Sequence, residues 1–294
     1  MEGMLCLLLA VAANAQTPYK WDLPTGFPKP RVPIDNPMTE AKVELGRRLF
    51  YDQRMSSNGT QSCASCHIQK LAFTDGKPRG EGSTGDKHAR GSMSLVNVAY
   101  APTFTWIDQG LHTLEEQARV PMFGRHPVEL GMDEGGEKFL AIARADPTYK
   151  RLFGPDPITL DNVIKALACF ERSLVSARSP YDRYHFDRDD TAISAAARHG
   201  EVLFFSTGFS CFRCHGGVNF TGRPENEGEF KAPTLRNIAI TAPYMHDGSV
   251  ATLEQAVTHH GTMTDQDRAD IIEFLRTLTD EAVLHDPRFS QPPQ

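Results

Sequence analysis

Apolar residues recur at helical spacing in several stretches and nowhere alternate in the manner of a strand. From Asp161 to Ser176 the positions Val163, Ile164, Leu167, Phe170 and Leu174 fall on one helical face. Cys169 lies in this stretch and reads as a core residue. A second stripe, Ile271, Leu275 and Leu278, runs through Asp265 to Thr279, with Thr264 placed to cap the helix. Two further segments end in Leu-Phe, at Leu49-Phe50 and Leu203-Phe204. The pattern predicts an all-α fold with long loops.

The apolar run from Met4 to Ala13 is too short to span a bilayer. Ala13-Asn14-Ala15 follows it with the small-x-small spacing of a cleavage site. Residues 1–15 therefore read as a signal peptide and the mature chain as periplasmic. The run has no preceding Lys or Arg, and Glu2 is acidic, so a buried N-terminal helix is the alternative. Leucines rather than small residues follow Cys6, which argues against a lipoprotein.

The chain has 294 residues, long enough for about two domains. Hydrophobic residues make up 40% of it, enough for packed cores. The formal net charge of −6 disfavours a nucleic-acid binder, which needs a basic face.

Four of the six cysteines form two copies of one motif, Cys63-Ala-Ser-Cys66-His67 and Cys211-Phe-Arg-Cys214-His215. Cys-x-x-Cys-His is the attachment signature of c-type haem. The thiols add to the haem vinyl groups and the adjacent His reaches the iron. A four-cysteine zinc site or two disulfides would leave both histidines unexplained.

The surroundings of the motifs repeat in order. Gly46-Arg-Arg-Leu-Phe50 parallels Gly200-Glu-Val-Leu-Phe204, and Phe73-Thr74 parallels Phe220-Thr221. Leu95-Val-Asn97 parallels Leu235-Arg-Asn237, Ala101-Pro102 parallels Ala242-Pro243, and Thr113-Leu-Glu-Glu parallels Thr252-Leu-Glu-Gln. The chain is thus two copies of one small helical haem unit, residues 16–190 and 191–294.

An iron held by one His is either closed by a second side chain or left open. Seven residues after Leu253 comes His260; seven residues after Leu114 comes Pro121. The C-terminal haem is therefore expected to be held by His215 and His260, and the N-terminal haem by His67 alone. His259 is the rival ligand, and the remaining alternative is that both are surface histidines. His88, His112 and His126 lie near the first unit and are alternatives for closing its iron. His88 sits in a charged, Gly-rich loop and reads as solvated. Glu129, shortly after Pro121, is a candidate to take a proton from hydrogen peroxide and return it to the leaving oxygen; the alternative is a solvated loop carboxylate.

The phrases Pro-Thr-Leu-Arg-Asn-Ile-Ala (233–239), Ala-Pro-Tyr-Met-His-Asp-Gly-Ser (242–249), Thr-Leu-Glu-Gln-Ala-Val (252–257) and Pro-Val-Glu-Leu-Gly (127–131) resemble the bacterial dihaem cytochrome c peroxidase and MauG family. The resemblance implies a peroxidatic N-terminal haem and an electron-transfer C-terminal haem. It places Glu129 at the family's distal acid, Gln117 at a neighbouring amide, and Trp106 nearest to an inter-haem electron relay. The alignment of Trp106 is off by about one residue, and a core aromatic is the alternative. The cytochrome c peroxidases place Met, and MauG Tyr, where His260 stands. A second His lowers the potential of that haem, which favours storage of oxidising equivalents over electron acceptance from a small redox protein. The family's calcium site uses an Asn side chain where Gly91 stands, while Thr241 and Pro243 remain, so calcium is left open.

Asn97-Val-Ala-Tyr-Ala-Pro-Thr-Phe-Thr-Trp106 resembles the MauG-like subgroup of methanobactin operons (MbnH), whose members accompany a periplasmic copper-binding protein (MbnP). This implies that hydrogen peroxide generates high-valent haem, which oxidises a partner tryptophan to kynurenine. The alternatives are a cytochrome c peroxidase fed by a small redox protein and a non-enzymatic dihaem electron carrier.

Overall fold

The structure, a computed structural model, describes residues 17–107, 110–223 and 229–293. The expected signal peptide lies outside the described residues. Those described are helical, with isolated bridges and no extended sheet among them. None of their helices is long and apolar enough to cross a membrane.

The two units are built around the same helix crossing. In the first, α1 (Glu40–Phe50) packs on α6 (Leu160–Ser173), and each begins at a Thr whose hydroxyl accepts a backbone N–H, Thr39 and Thr159. The two backbones meet at Gly46, where a Cβ would lie 1.9 Å from the Ala166 carbonyl oxygen. In the second unit α8 (Ala195–Phe204) packs on α11 (Asp265–Arg276). Gly200 takes the place of Gly46, with a Cβ 1.9 Å from the Asp270 oxygen. Only glycine permits either approach. The observed α6 and α11 each stop three residues short of their expected ends, while Thr264 caps α11 as expected.

Each crossing supports its own apolar cluster. The first holds Leu49, Phe50, Phe73, Met122, Phe139, Tyr149 and Phe170. Cys169 is fully buried in it. The second holds Phe204, Phe220, Ile271, Phe274 and Leu275. The chain's last segment then returns to the first cluster. Val283 and Leu284 of α12 (Glu281–His285), with Phe289, join that core, and Gln69 Nε2 donates to the carbonyls of Val283 and Asp286 at 3.0 and 2.9 Å.

Two buried asparagines meet at Ser176, and Asn237 thereby ties the second repeat to the first. Asn97 and Asn237 both adopt left-handed backbone, with φ of 57° and 58°, a conformation that Asn tolerates better than most residues. The Asn97 side chain accepts from the Ser176 N–H and donates to its carbonyl. Asn237 donates to the Ser176 hydroxyl and accepts from the Asp280 N–H.

Candidate functional site: two haem seats and the wall between them

Each haem motif forms one helical turn, α2 (Cys63–Cys66) and α9 (Cys211–Cys214), and the cysteines in both are free. The following His leaves the helix and meets a carbonyl turned toward it. His67 Nδ1 lies 2.8 Å from the Phe73 oxygen, and His215 Nδ1 lies 3.3 Å from the Phe220 oxygen. Both phenylalanines have positive φ, 59° and 47°, which is unusual for a bulky side chain and belongs with positions under functional constraint. The Nδ1 contact fixes the ring and leaves Nε2 for a metal. Burial pulls both imidazoles down, His215 to about 4, so each is held neutral, as a ligand must be.

The second seat is a cavity of about 700 Å³, lined by Cys211, Cys214, His215 and His260. His260 ends α10 (Leu253–His259), and its Nδ1 lies 2.8 Å from the Ala256 oxygen. The His215 and His260 ring centroids are 6.3 Å apart. Two imidazoles bound to one metal at about 2 Å per bond have centroids roughly 6 Å apart. His259 does not line this cavity. The rings, the free thiols and the volume fit a c-type haem.

The corresponding helix of the first unit is α3 (Leu114–Phe123). Thr113 and Glu116 form its capping box, as Thr252 and Gln255 do for α10. Equal starts put Pro121 in the register of His260. Pro121 lies inside α3 and, lacking an N–H, leaves the Gln117 carbonyl without its helical donor. Gln117 is half-buried, one turn before Pro121.

Backbone pairing brings Glu129 to this same place. Leu130 N–H donates to the Pro121 carbonyl at 2.9 Å, and Ser83 N–H to the Glu129 carbonyl at 2.8 Å. Burial pushes the Glu129 carboxyl up to about 7. Burial also raises both thiols of the first motif. Nearby carboxylates add to this, Glu171 and then Glu129 at Cys63, and Asp75 and then Glu129 at Cys66. Glu129 is thus near the haem-bearing thiols, in range to exchange protons at neutral pH.

His88 departs from the expectation of a solvated side chain. It is half-buried, burial lowers its pKa, and its Nε2 is enclosed without a hydrogen-bond partner. The loop folds back because His88 N–H donates to the Gly80 carbonyl. His112 and His126 are exposed.

Trp106 lines both the second haem cavity and a smaller one, of about 100 Å³, between the units. Its Nε1 donates to the Gly91 carbonyl at 2.8 Å, and its own carbonyl accepts from Lys231 N–H at 2.9 Å. Thr241, Pro243 and Lys231 line the smaller cavity with Gly91, which offers no side-chain oxygen to a cation there. The residue patterns did not single out Lys231 or Glu171. Glu171 is buried beside Cys63, is pushed up to about 8 by burial and has an unpartnered Oε2.

Two Cys-x-x-Cys-His seats in one helical chain, with Trp106 on a cavity between the units, define a c-type dihaem redox protein. The pattern of the di-haem cytochrome c peroxidase family matches residues 40–191, and the chain belongs to that family. It is 32% identical to the methylamine utilization protein MauG of Methylorubrum extorquens, over 88% of this chain and 83% of that protein. It is 31% identical to the cytochrome c551 peroxidase of Nitrosomonas europaea, over 81% of this chain and 79% of the relative. Among solved structures it resembles a MauG-like protein associated with microbial copper homeostasis, with a TM-score of 0.86 and 37% identity. That match covers 93% of this chain and 99% of the other. The protein is accordingly a peroxide-using oxidoreductase with two c-type haems.

Proposed function

We propose that this enzyme is a periplasmic, MauG-like oxidase that takes two oxidising equivalents from hydrogen peroxide and uses them on a tryptophan of a partner protein. The observation that carries this reading is the pairing of Pro121 with His260 in equivalent helices. A Pro has no lone pair for a metal, so the first seat keeps a face open for peroxide. The second seat has two imidazoles and no open face. Bound haem supplies cleavage of the O–O bond and storage of the oxidising equivalents.

The residues divide the remaining work. His67, held by the Phe73 carbonyl, would hold the first iron, and His215 and His260 would hold the second. Glu129 accepts a proton from peroxide and returns it to the departing oxygen. Gln117 presents its amide to the same pocket. Trp106, on the wall of the second seat, carries electrons between the units. The substrate tryptophan need not enter a haem cavity. The similarity to a protein associated with copper homeostasis favours a copper-binding partner of the MbnP kind.

The test adds one equivalent of hydrogen peroxide to the fully oxidised protein without a reductant. A fast, long-lived optical change at both haems is the expected result. No reaction until one haem is reduced would replace this reading by that of a cytochrome c peroxidase. The enclosed, unpartnered Nε2 of His88 favours that second reading, since a His can close the first iron until reduction releases it. No reaction in either state would leave an electron carrier.

A further inference from the structure

Lys231 is the unexplained cation of the wall. It is 7% exposed, and its Nζ donates to the Thr103 carbonyl at 2.7 Å. It lines both the second haem cavity and the smaller cavity between the units. Among the described residues Asp75, a carboxylate lining the smaller cavity, forms no ion pair with it, and the Thr103 carbonyl is what its Nζ meets. Burial alone pulls its ammonium down to about 8. Keeping a charge out of water without a counter-charge is costly. The internal repeat sharpens the point. Lys231 precedes Asn237 by the same six residues that separate Gly91 from Asn97. One unit thus places a buried cation where the other has no side chain.

A haem brings carboxylates of its own, its propionates. We propose that Lys231 anchors a haem propionate, its ammonium pairing with a carboxylate of the haem seated between His215 and His260. Through its backbone bond to Trp106 and its side-chain bond to Thr103, the same residue ties that haem to the relay segment. The inference rests on the two-histidine seat proposed above. The smaller cavity also opens Lys231 to a propionate of the first haem, and the experiment distinguishes these sources.

An ammonium beside a propionate offsets negative charge near the iron and raises its reduction potential. Lys231→Gln keeps a donor and removes the charge; Lys231→Arg keeps the charge. The measurement is spectroelectrochemical titration of the holoprotein, with the two haems resolved by their spectra. The expected result is a lower midpoint for the two-histidine haem in Lys231→Gln, with little change in Lys231→Arg or at the other haem. A shift confined to the first haem would assign the propionate there and overturn the proposal, as would unchanged midpoints at both.

Should Lys231→Gln fail to accumulate with its haems, resonance Raman spectra of the wild type and Lys231→Arg decide. A shift of the propionate bending mode on exchanging ammonium for guanidinium supports the pairing, and identical modes overturn it. A wild-type second haem lacking two nitrogen ligands in its ferric spectrum would remove the seat itself, a failure distinct from a wrong anchor.

Discussion

Pro121 and His260 share one register, counted from the helix start, in the equivalent helices of the two repeats. Each lies seven residues past the Leu that follows a capping Thr, and each helix opens with the same capping box. This one difference at one register would give two similar folding units different chemistry. The first seat gains a carboxylate as well, because the carbonyl of Pro121 receives the Leu130 N–H and carries Glu129 with it.

If an absent ligand keeps the first seat open, supplying one should close it. Pro121→His places an imidazole at the register of His260 and returns an N–H to the Gln117 carbonyl. The expected ferric protein is low-spin at both haems by electron paramagnetic resonance. Its peroxide reaction should fall by more than about tenfold, a barrier increase of about 1.4 kcal/mol. A persistent high-spin haem with undiminished peroxide reactivity would show that the register does not face the iron.

Glu129 should set the pH dependence of the peroxide reaction. Burial raises its carboxyl from 4.5 to about 7, so below that pH it is neutral and above it a carboxylate. A base must be the carboxylate, so the rate should rise with pH through about 7. Glu129→Gln should lose that rise and slow the reaction by about 100-fold or more, with both haems still attached. Stopped-flow mixing with peroxide across pH checks both points, and an unaltered profile in the variant removes Glu129 from the chemistry.

Much of this site is legible in the sequence because its chemistry is local. Haem attachment needs two thiols and a His within one helical turn, so Cys63 to His67 and Cys211 to His215 announce themselves. Helix caps are local too, which is why the repeated Thr-Leu-Glu phrases fix the register of Pro121 and His260. Residues whose role comes from burial are not visible in this way. Glu171 and Lys231 are ordinary charged side chains until packing strips them of water, and His88 reads as solvated until its loop folds back. Phe73 and Phe220 are recorded in the repeat, but the turn of their carbonyls toward the histidines is a backbone property. The return of Phe289 to the first core likewise joins segments far apart in the chain.

The repeated glycines should be a stability requirement of both units. Gly200→Ala would place a methyl 1.9 Å from the Asp270 carbonyl oxygen, and Gly46→Ala one equally close to that of Ala166. Backbone cannot yield as a flexible side chain does, so each helix pair must separate. The expected cost is about 1–3 kcal/mol, read as a lower denaturant midpoint in the holoprotein. Gly208→Ala is the control, since the nearest atom to its new methyl is a Ser206 hydroxyl at 3.7 Å. Equal effects at all three sites would mean that the crossings tolerate separation.

Trp106 should matter after peroxide has reacted, not before. Its indole lines the second cavity and is held by the Gly91 carbonyl, while its backbone pairs with Lys231, so both repeats grip it. Phe at this position keeps much of the shape but loses the N–H bond and the more readily oxidised ring. In Trp106→Phe the peroxide reaction at the first haem should stay within about tenfold of wild type, since neither Glu129 nor His67 is touched. Transfer of the oxidising equivalents to the second haem should slow by more than that, a difference above about 1.4 kcal/mol. Rapid-scan spectra after one equivalent of peroxide separate the two steps, because a haem held by one His and a haem held by two would differ in their spectra. If both haems respond together at the wild-type rate, the indole is a packing residue and the electrons take another path across the wall.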